Sequence, residues 1–278
     1  MRRTGHAPRP ERLRPRRPGR RRTGRGRGTD AHGDAFGTAT RTVADTRGGR
    51  PEQRTTTVTL GDVVLEVVTL KAADVRADED GPGTRTVTLT LAPGRSARLA
   101  LASPGALDVD TDGSITVLDG DGDPVAAIGP PAPPSDTEDD APRIEVTDAD
   151  ATHALVEVEP VAPLQESESP APTDRAELLP VTFVVGTQAI ESATWGENEG
   201  GRSLAVDPTD WARYAGQAGL DLIRTQLVAA EPDADTSTMG DQLVCHAVGA
   251  PDKSTWNLEP WRPDVGLILT ATAQCNPV

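Results

Sequence analysis

A chain of 278 residues with 36% hydrophobic and only 3% aromatic side chains, and with 27 Gly and 25 Pro, has material for one or two modest cores joined by segments too polar and too broken to pack. Its net charge of −15 is unevenly spread: residues 1–50 hold 15 Arg against 4 acidic residues, leaving 13 basic and 39 acidic residues for 51–278, a body that repels nucleic acid and anionic lipid. No window approaches the roughly 20 apolar residues of a membrane span, and no apolar run follows the basic start in the manner of a signal peptide.

Residues 1–50, centred on PRRPGRRRTGRGRG, read as a disordered Arg-rich tail, because almost nothing in them can be buried. Two origins stay open. The tract is either an arm that grips nucleic-acid phosphates by counterion release or a stretch of GC-rich sequence read upstream of the true start, in which case an export signal would lie elsewhere.

From 54 to 160 the chain changes to short β-branched runs of period 2. Residues 55–60 and 63–70 around Gly61-Asp62 predict a hairpin, and 85–91 with 95–101 around Ala92-Pro93-Gly94 a second. Residues 114–118 with 125–128 around DGDGD predict a third, and 143–147 with 154–159 a fourth. Strands so spaced, without helical periodicity between them, point to a β-rich antiparallel sandwich or barrel-like module. Within it Asp108, Asp110, Asp112, Gly113, Ile115 and Asp119 match the spacing of a calcium loop, since carboxylates at alternate positions and a Gly at the bend supply the oxygens calcium needs. The flanking strands, where a calcium loop would have helices, favour two Asp-Gly turns instead.

Residues 129–142 and 161–180 are Pro- and acid-rich and read as linkers, which puts a boundary near 178 and an α+β module at 181–278. There, 181–186 predicts a strand internal to a sheet, and 190–195 with 202–206 a hairpin. Asp207-Pro208-Thr209-Asp210 reads as a helix start. Leu220, Ile223, Leu227 and Val228 share one face of a helix that Pro232 stops, and Met239, Leu243 and Ala247 with Val244 and Val248 fit a third helix behind a Ser237 or Thr238 cap, the alternative there being a strand with Leu243, Cys245 and Ala247 inward. Residues 265–273 predict a last strand, with Cys275 just beyond it.

Chemistry is sparse. His6, His32, His153 and His246 stand at no metal-ligand spacing, and the phosphate-loop, nucleophile-elbow and dinucleotide motifs are missing, so no metal or cofactor is expected. Cys245 and His246 are sequence neighbours, and neighbours point in different directions on helix or strand, which argues against a catalytic dyad. Cys245 and Cys275 read as a disulfide in an oxidising compartment and as two buried thiols in a reducing one. Trp256 and Trp261, with Arg262 and Glu259 beside them, are the candidate ligand-binding residues; the alternative is that the tryptophans are core, because the chain has only 1 Tyr and 2 Phe besides its 4 Trp. Arg262 has two evident partners, a Trp face and Glu259.

The run Cys245-His246, Ala250-Pro251, Lys253, Trp256-Asn257-Leu258-Glu259-Pro260, Arg262-Pro263, Val265-Gly266 and Cys275-Asn276-Pro277 resembles the family designated domain of unknown function 2599, found in exported actinobacterial proteins. Ser192 to Trp195, Arg202 to Pro208, Trp211 and Asp241-Gln242 belong to the same likeness, which covers about residues 185–278. The resemblance implies export and a Cys245–Cys275 disulfide, and it brings no known activity and no catalytic residues. The expectation is thus a secreted or cell-surface protein with a non-catalytic binding or structural role toward a glycan or protein partner. The alternative is a secreted hydrolase using paired carboxylates.

Overall fold

The computed structural model describes residues 41–42, 53–70, 75–81, 83–133, 142–159 and 178–278, all within the unit Gly37–Val278. The expected tail at 1–50, apart from Arg41 and Thr42, and linker residues 134–141 and 161–177 lie outside the described residues.

In chain order the first twelve strands are β1 (Arg41–Thr42), β2 (Gln53–Leu60), β3 (Val63–Leu70), β4 (Val75–Gly81), β5 (Thr84–Leu91), β6 (Arg95–Leu101), β7 (Ala106–Val109), β8 (Ile115–Leu118), β9 (Pro124–Ile128), β10 (Ile144–Asp150), β11 (His153–Val158) and β12 (Leu179–Gly186). They form two antiparallel sheets, ordered β1-β2-β3-β6-β11-β10 and β4-β5-β12-β9-β8-β7. Period-2 alternation sends Leu65, Val67, Leu99 and Val156 inward from the first sheet to meet Val87, Leu89, Ile115 and Phe183 from the second, giving one shared core and hence a sandwich.

Three expected hairpins form as read. Leu60 lies opposite Val63 across Gly61-Asp62, β8 pairs with β9, and β10 with β11. The expected hairpin around Ala92-Pro93-Gly94 does not form, since β5 and β6 lie in different sheets and the turn is a corner between them. Leu89 and Leu91 face the same interior as Leu99 and Leu101, so the inward pattern is the same for a hairpin and a corner, and the deciding contact is remote: the Gly94 amide donates to the Val158 carbonyl at 2.7 Å. The strand expected at 181–186 is internal, between β5 and β9, yet its sheet is the sandwich's, so the chain leaves the sandwich after Gly186 and not near 178. Polar β4, VRADEDG, went unread as a strand; it is a sheet edge, where charge deters pairing with another chain.

The remaining elements are β13 (Ile190–Asn198), β14 (Gly201–Pro208), α1 (Asp210–Arg213), α2 (Gly216–Ala230), α3 (Ser237–Gly249), β15 (Trp256–Leu258) and α4 (Leu267–Thr272). The three strands make a third antiparallel sheet, and its core joins Leu204, Val206, Leu222, Ile223, Leu227, Met239, Trp256 and Leu258. Asp207 and Pro208 end β14, so α1 starts later than expected, with Thr209 as N-cap. α3 is capped by Thr236, whose hydroxyl accepts the Met239 amide at 3.2 Å, and not by Ser237 or Thr238. The strand expected at 265–273 is helix α4: its β-branched composition suits a strand, but Cys275 is bonded to Cys245 of α3 and the segment packs against that helix. Among the described residues no helix is long and apolar enough to cross a membrane.

The sandwich and the helical part share a strand. On β9, Ala126 and Ile128 enter the sandwich core while Ala127 faces the other way into the helical core, under α2. α2 begins at Gly216, φ +69°, and receives no cap from its own N-cap residue Ala215. The β7–β8 turn caps it instead: Asp112 Oδ2 accepts the Gln217 amide at 2.8 Å and Ser114 Oγ accepts the Ala218 amide at 3.0 Å. A Cβ at position 216 would sit 2.3 Å from that Asp112 oxygen, so glycine is required by space as well as by φ. Replacing Asp112 by Ala is expected to cost about 1–2 kcal/mol in urea unfolding. Asp112→Asn, which keeps an acceptor oxygen, is expected to cost less.

Candidate functional site

The structure separates the sequence-predicted residues. Three of the four calcium candidates serve two turns. Asp110 N donates to Ser114 O (2.9 Å) in one, and Asp119 N to Asp123 O (3.0 Å) in the other, where the Asp119 carboxylate also accepts the Asp121 and Asp123 amides. Asp108 is exposed on β7, and Asp112 is committed to the end of α2. Among the described residues no group of three or more His, Cys, Asp or Glu is placed to hold a metal ion.

Burial pushes the Asp110 carboxyl up to about 6, against the hydrogen bond from the Thr116 hydroxyl and with the charge of Asp221 on α2 adding to the rise. Asp221 is itself raised, mainly by burial. In Asp112, burial acts the same way but is outweighed by the Ser114 hydroxyl and the Gln217 and Ser114 amides, and its pKa falls. An acid whose folded pKa is raised binds its proton more tightly in the folded chain. Asp110 therefore favours folding below about pH 4, and that contribution is lost as pH rises through 6. Asp110→Asn is expected to remove this slope. After discounting for solvent screening, the variant gains roughly 1 kcal/mol on the parent between about pH 4 and pH 7, read by urea unfolding at several pH values.

Of the aromatic candidates, Trp256 is fully buried at the centre of the helical core and touches no solvent, whereas Trp261 is 45% exposed. Both expected partners of Arg262 are realised, for its Cζ lies 4.6 Å over the Trp261 ring and its Nε donates to Glu259. Arg262 also donates to the Pro277 carbonyl (3.1 Å) and to Glu199 (2.5 Å), so one buried guanidinium joins the loop after β15, the β13–β14 hairpin tip and the C-terminal segment. Glu259 is equally buried. Its oxygens accept Arg262 and the Asn198 amide (2.9 Å), and its backbone is bracketed by Gln242 at 2.9 and 3.0 Å. A carboxylate held this way balances charge and has no oxygen left for acid–base work. At the hairpin tip Gly201 makes room for Trp261, whose ring atoms would lie 2.3 Å from a Cβ there.

Sequence reasoning missed one residue and set another aside. Arg213 donates to the carbonyls of Pro208, Pro251, Lys253 and Ser254 and to Asp207, holding the 251–254 loop while lying 5.3 Å over Trp256. A lone Arg at a helix end gives no warning of this. His246 is the other. It is buried, stacked parallel to Trp256 with ring centroids 6.5 Å apart, and its Nε2 lies 3.2 Å from the Asn257 carbonyl, while Nδ1 has no partner. Its neighbour Cys245 is in the disulfide and offers no thiolate. His153 bonds Asp150 at 2.7 Å, and His6 and His32 lie outside the described residues.

The Cys245–Cys275 bond, with Cα atoms 5.6 Å apart, ties α3 to the segment after α4. Beside it runs a groove of about 530 Å³ lined by Val244, Val248, Leu267 and Ala271, and the same two helices leave Val248 (79%) and Ile268 (81%) in solvent. On another side, between the hairpin tip and the 253–257 segment, is a polar cavity of about 270 Å³ lined by Asn198, Glu199, His246, Lys253 and Asn276 among others.

Residues 190–278 match the family model described as protein of unknown function (DUF2599). Uncharacterized proteins of Mycobacterium tuberculosis and Mycobacterium bovis are each 38% identical over 95 residues, 31% of this chain and 62% of theirs. One from Mycobacterium leprae is 40% identical over 55 residues, 18% of this chain and 45% of its own. The chain thus spans less than two thirds of the length of these curated relatives, and no solved structure matches it. The match begins at the first residue of β13 and takes in the third sheet, the four helices and the disulfide, so the C-terminal third of the chain resembles the DUF2599 family, as its Cys, Trp and Pro spacing implied.

Proposed function

We propose that this is a secreted or cell-surface protein whose C-terminal module binds a partner and does not catalyse a reaction. The observation that carries the reading is the Cys245–Cys275 bond, because such a bond persists in oxidising compartments and is reduced in the cytosol. Two further features support a binding role. The helices braced by that bond leave large apolar side chains in water, which on soluble proteins marks recognition surfaces. Glu259 and Arg262 neutralise each other internally, and Trp261, half exposed on the Arg262 plane, is the aromatic candidate that remains open to a ligand.

The hydrolase alternative has one observation in its favour, the paired raised carboxyls Asp110 and Asp221. Neither is among the residues that line the two cavities described above. Fractionation of cells producing the native protein tests the main reading. The protein is expected in the culture medium or the envelope fraction, and its confinement to the cytosol would contradict the proposal.

A further inference from the structure

We infer that the apolar groove between α3 and α4, beside the Cys245–Cys275 bond, is the binding site of a free straight-chain carboxylate, whose acyl chain lies along the groove with its head group at Lys253. This rests on the reading of the module as a binder and names the class of its ligand. At about 530 Å³ the groove falls within the roughly 300–1,000 Å³ of small-molecule sites. Its walls are two matched stripes. Val244 and Val248 stand four residues apart on one face of α3, and Leu267 and Ala271 four apart on one face of α4, so each helix gives a continuous apolar edge to the same channel. Among the described residues that line it only Lys253 and Gln274 have polar side chains, and none is acidic. Val248 is 79% exposed and Leu267 41%, so the channel is open to water along one side, where an apolar chain would cover it.

Charge selects the head group. Residues 190–278 hold 13 acidic and 5 basic side chains, and four of the five cations pair with carboxylates: Arg202 with Asp233, Arg213 with Asp207, Arg224 with Asp235, and Arg262 with Glu199 and Glu259. Lys253 is the fifth. Among the described residues no carboxylate pairs with it, and its sequence neighbour Asp252 is taken by the Tyr214 hydroxyl. Lys253 lines both the groove and the polar cavity, which puts its charge at the wet end of the apolar channel, where the head group of an amphiphile keeps its water. A carboxylate there gains a charge-assisted hydrogen bond. The larger occupants of an apolar face are disfavoured by the same charges. A second copy carries −15 of its own, and an anionic bilayer is repelled likewise, whereas a free carboxylate brings one charge to the one unanswered cation.

Titration calorimetry on the full, oxidised chain tests this with octanoate, decanoate and dodecanoate, each kept below the concentration at which it forms micelles, and with decanol and decyltrimethylammonium as the neutral and cationic comparisons. A fully buried CH₂ tightens binding about fourfold and a half-covered one about twofold, so each two-carbon step is expected to lower Kd about fourfold. Decanoate is expected to bind about threefold to fivefold more tightly than decanol, the worth of one exposed ion pair, and Lys253→Gln to remove that difference while leaving decanol unchanged. Ala271→Trp, which fills the channel from an exposed position, is expected to weaken decanoate by about tenfold or more. No binding of dodecanoate, binding undiminished in Ala271→Trp, or decyltrimethylammonium held as tightly as decanoate would each overturn the site. So would a chain that ignores carboxylates but sediments as a dimer or with phosphatidylcholine vesicles, since a second copy or a bilayer would then be what covers the groove. A protein found outside the cell with its disulfide intact but silent toward every carboxylate would sink this inference and leave the proposed function standing; a cytosolic protein that binds decanoate would do the reverse.

Discussion

Replacing Cys245 and Cys275 together by alanine is expected to cost the C-terminal module about 3–4 kcal/mol. The bond spans a sequence separation of 30, and the chain-entropy model assigns that much to the freedom an open loop of this size regains in the unfolded state. The effect is large for this module because its other resources are thin. The core is one layer of helices on a three-stranded sheet, α4 has only 6 residues, and the apolar side chains of α4 point largely to water. Tryptophan fluorescence reads this module selectively, since Trp195, Trp211, Trp256 and Trp261 all lie in it. The urea midpoint followed by fluorescence is expected to drop in the double variant, and the midpoint of the parent to drop by a similar amount on reduction. An unchanged midpoint in both would mean that the bond ornaments a module stable without it.

Arg262→Ala is expected to be at least as damaging, at roughly 3–5 kcal/mol, for a different reason. Arg262 and Glu259 side chains are each 1% exposed, so deleting the cation leaves a carboxylate in the interior with only an Asn198 amide to answer it. The loss also frees Glu199 at the hairpin tip and the Pro277 carbonyl. The ion-pair account makes a sharper claim in the double variant Glu259→Gln with Arg262→Met. With both charges gone the desolvation penalty goes too, and this variant is expected to be more stable than Arg262→Ala alone. If the double change is instead the worse of the two, the pair is held by packing and not by charge.

Much of the fold was legible in the sequence where the determinants are local. Turns at Gly61-Asp62, DGDGD and 151–152 between runs of alternating apolar and polar residues set three hairpins, and the apolar spacing set α2, whereas for α3 it left a strand open as well. What was misread depends on contacts distant in sequence. Whether Ala92-Pro93-Gly94 closes a hairpin or turns a sandwich corner is decided by β11, more than fifty residues on, and β12 joins the sandwich by pairing with β5 across nearly a hundred residues. Residues 265–273 have strand composition and form a helix because a covalent bond to α3 places them. The candidate site shows the same division. Arg262 with Glu259 was readable as a pair three residues apart, whereas the burial of Trp256 beside the exposure of Trp261, the four carbonyls gathered by Arg213 and the unpartnered Nδ1 of His246 arise only once the hairpin, α3 and the last loop meet.

The account rests most directly on the redox state of the native protein. Intact mass, measured with and without reductant on protein recovered from the culture medium of cells that produce it, answers the question in one step. The account predicts a species that gains the mass of two hydrogens on reduction and resists thiol-alkylating reagent beforehand. A chain that is found only inside cells, with both cysteines alkylated without any reductant, would contradict it.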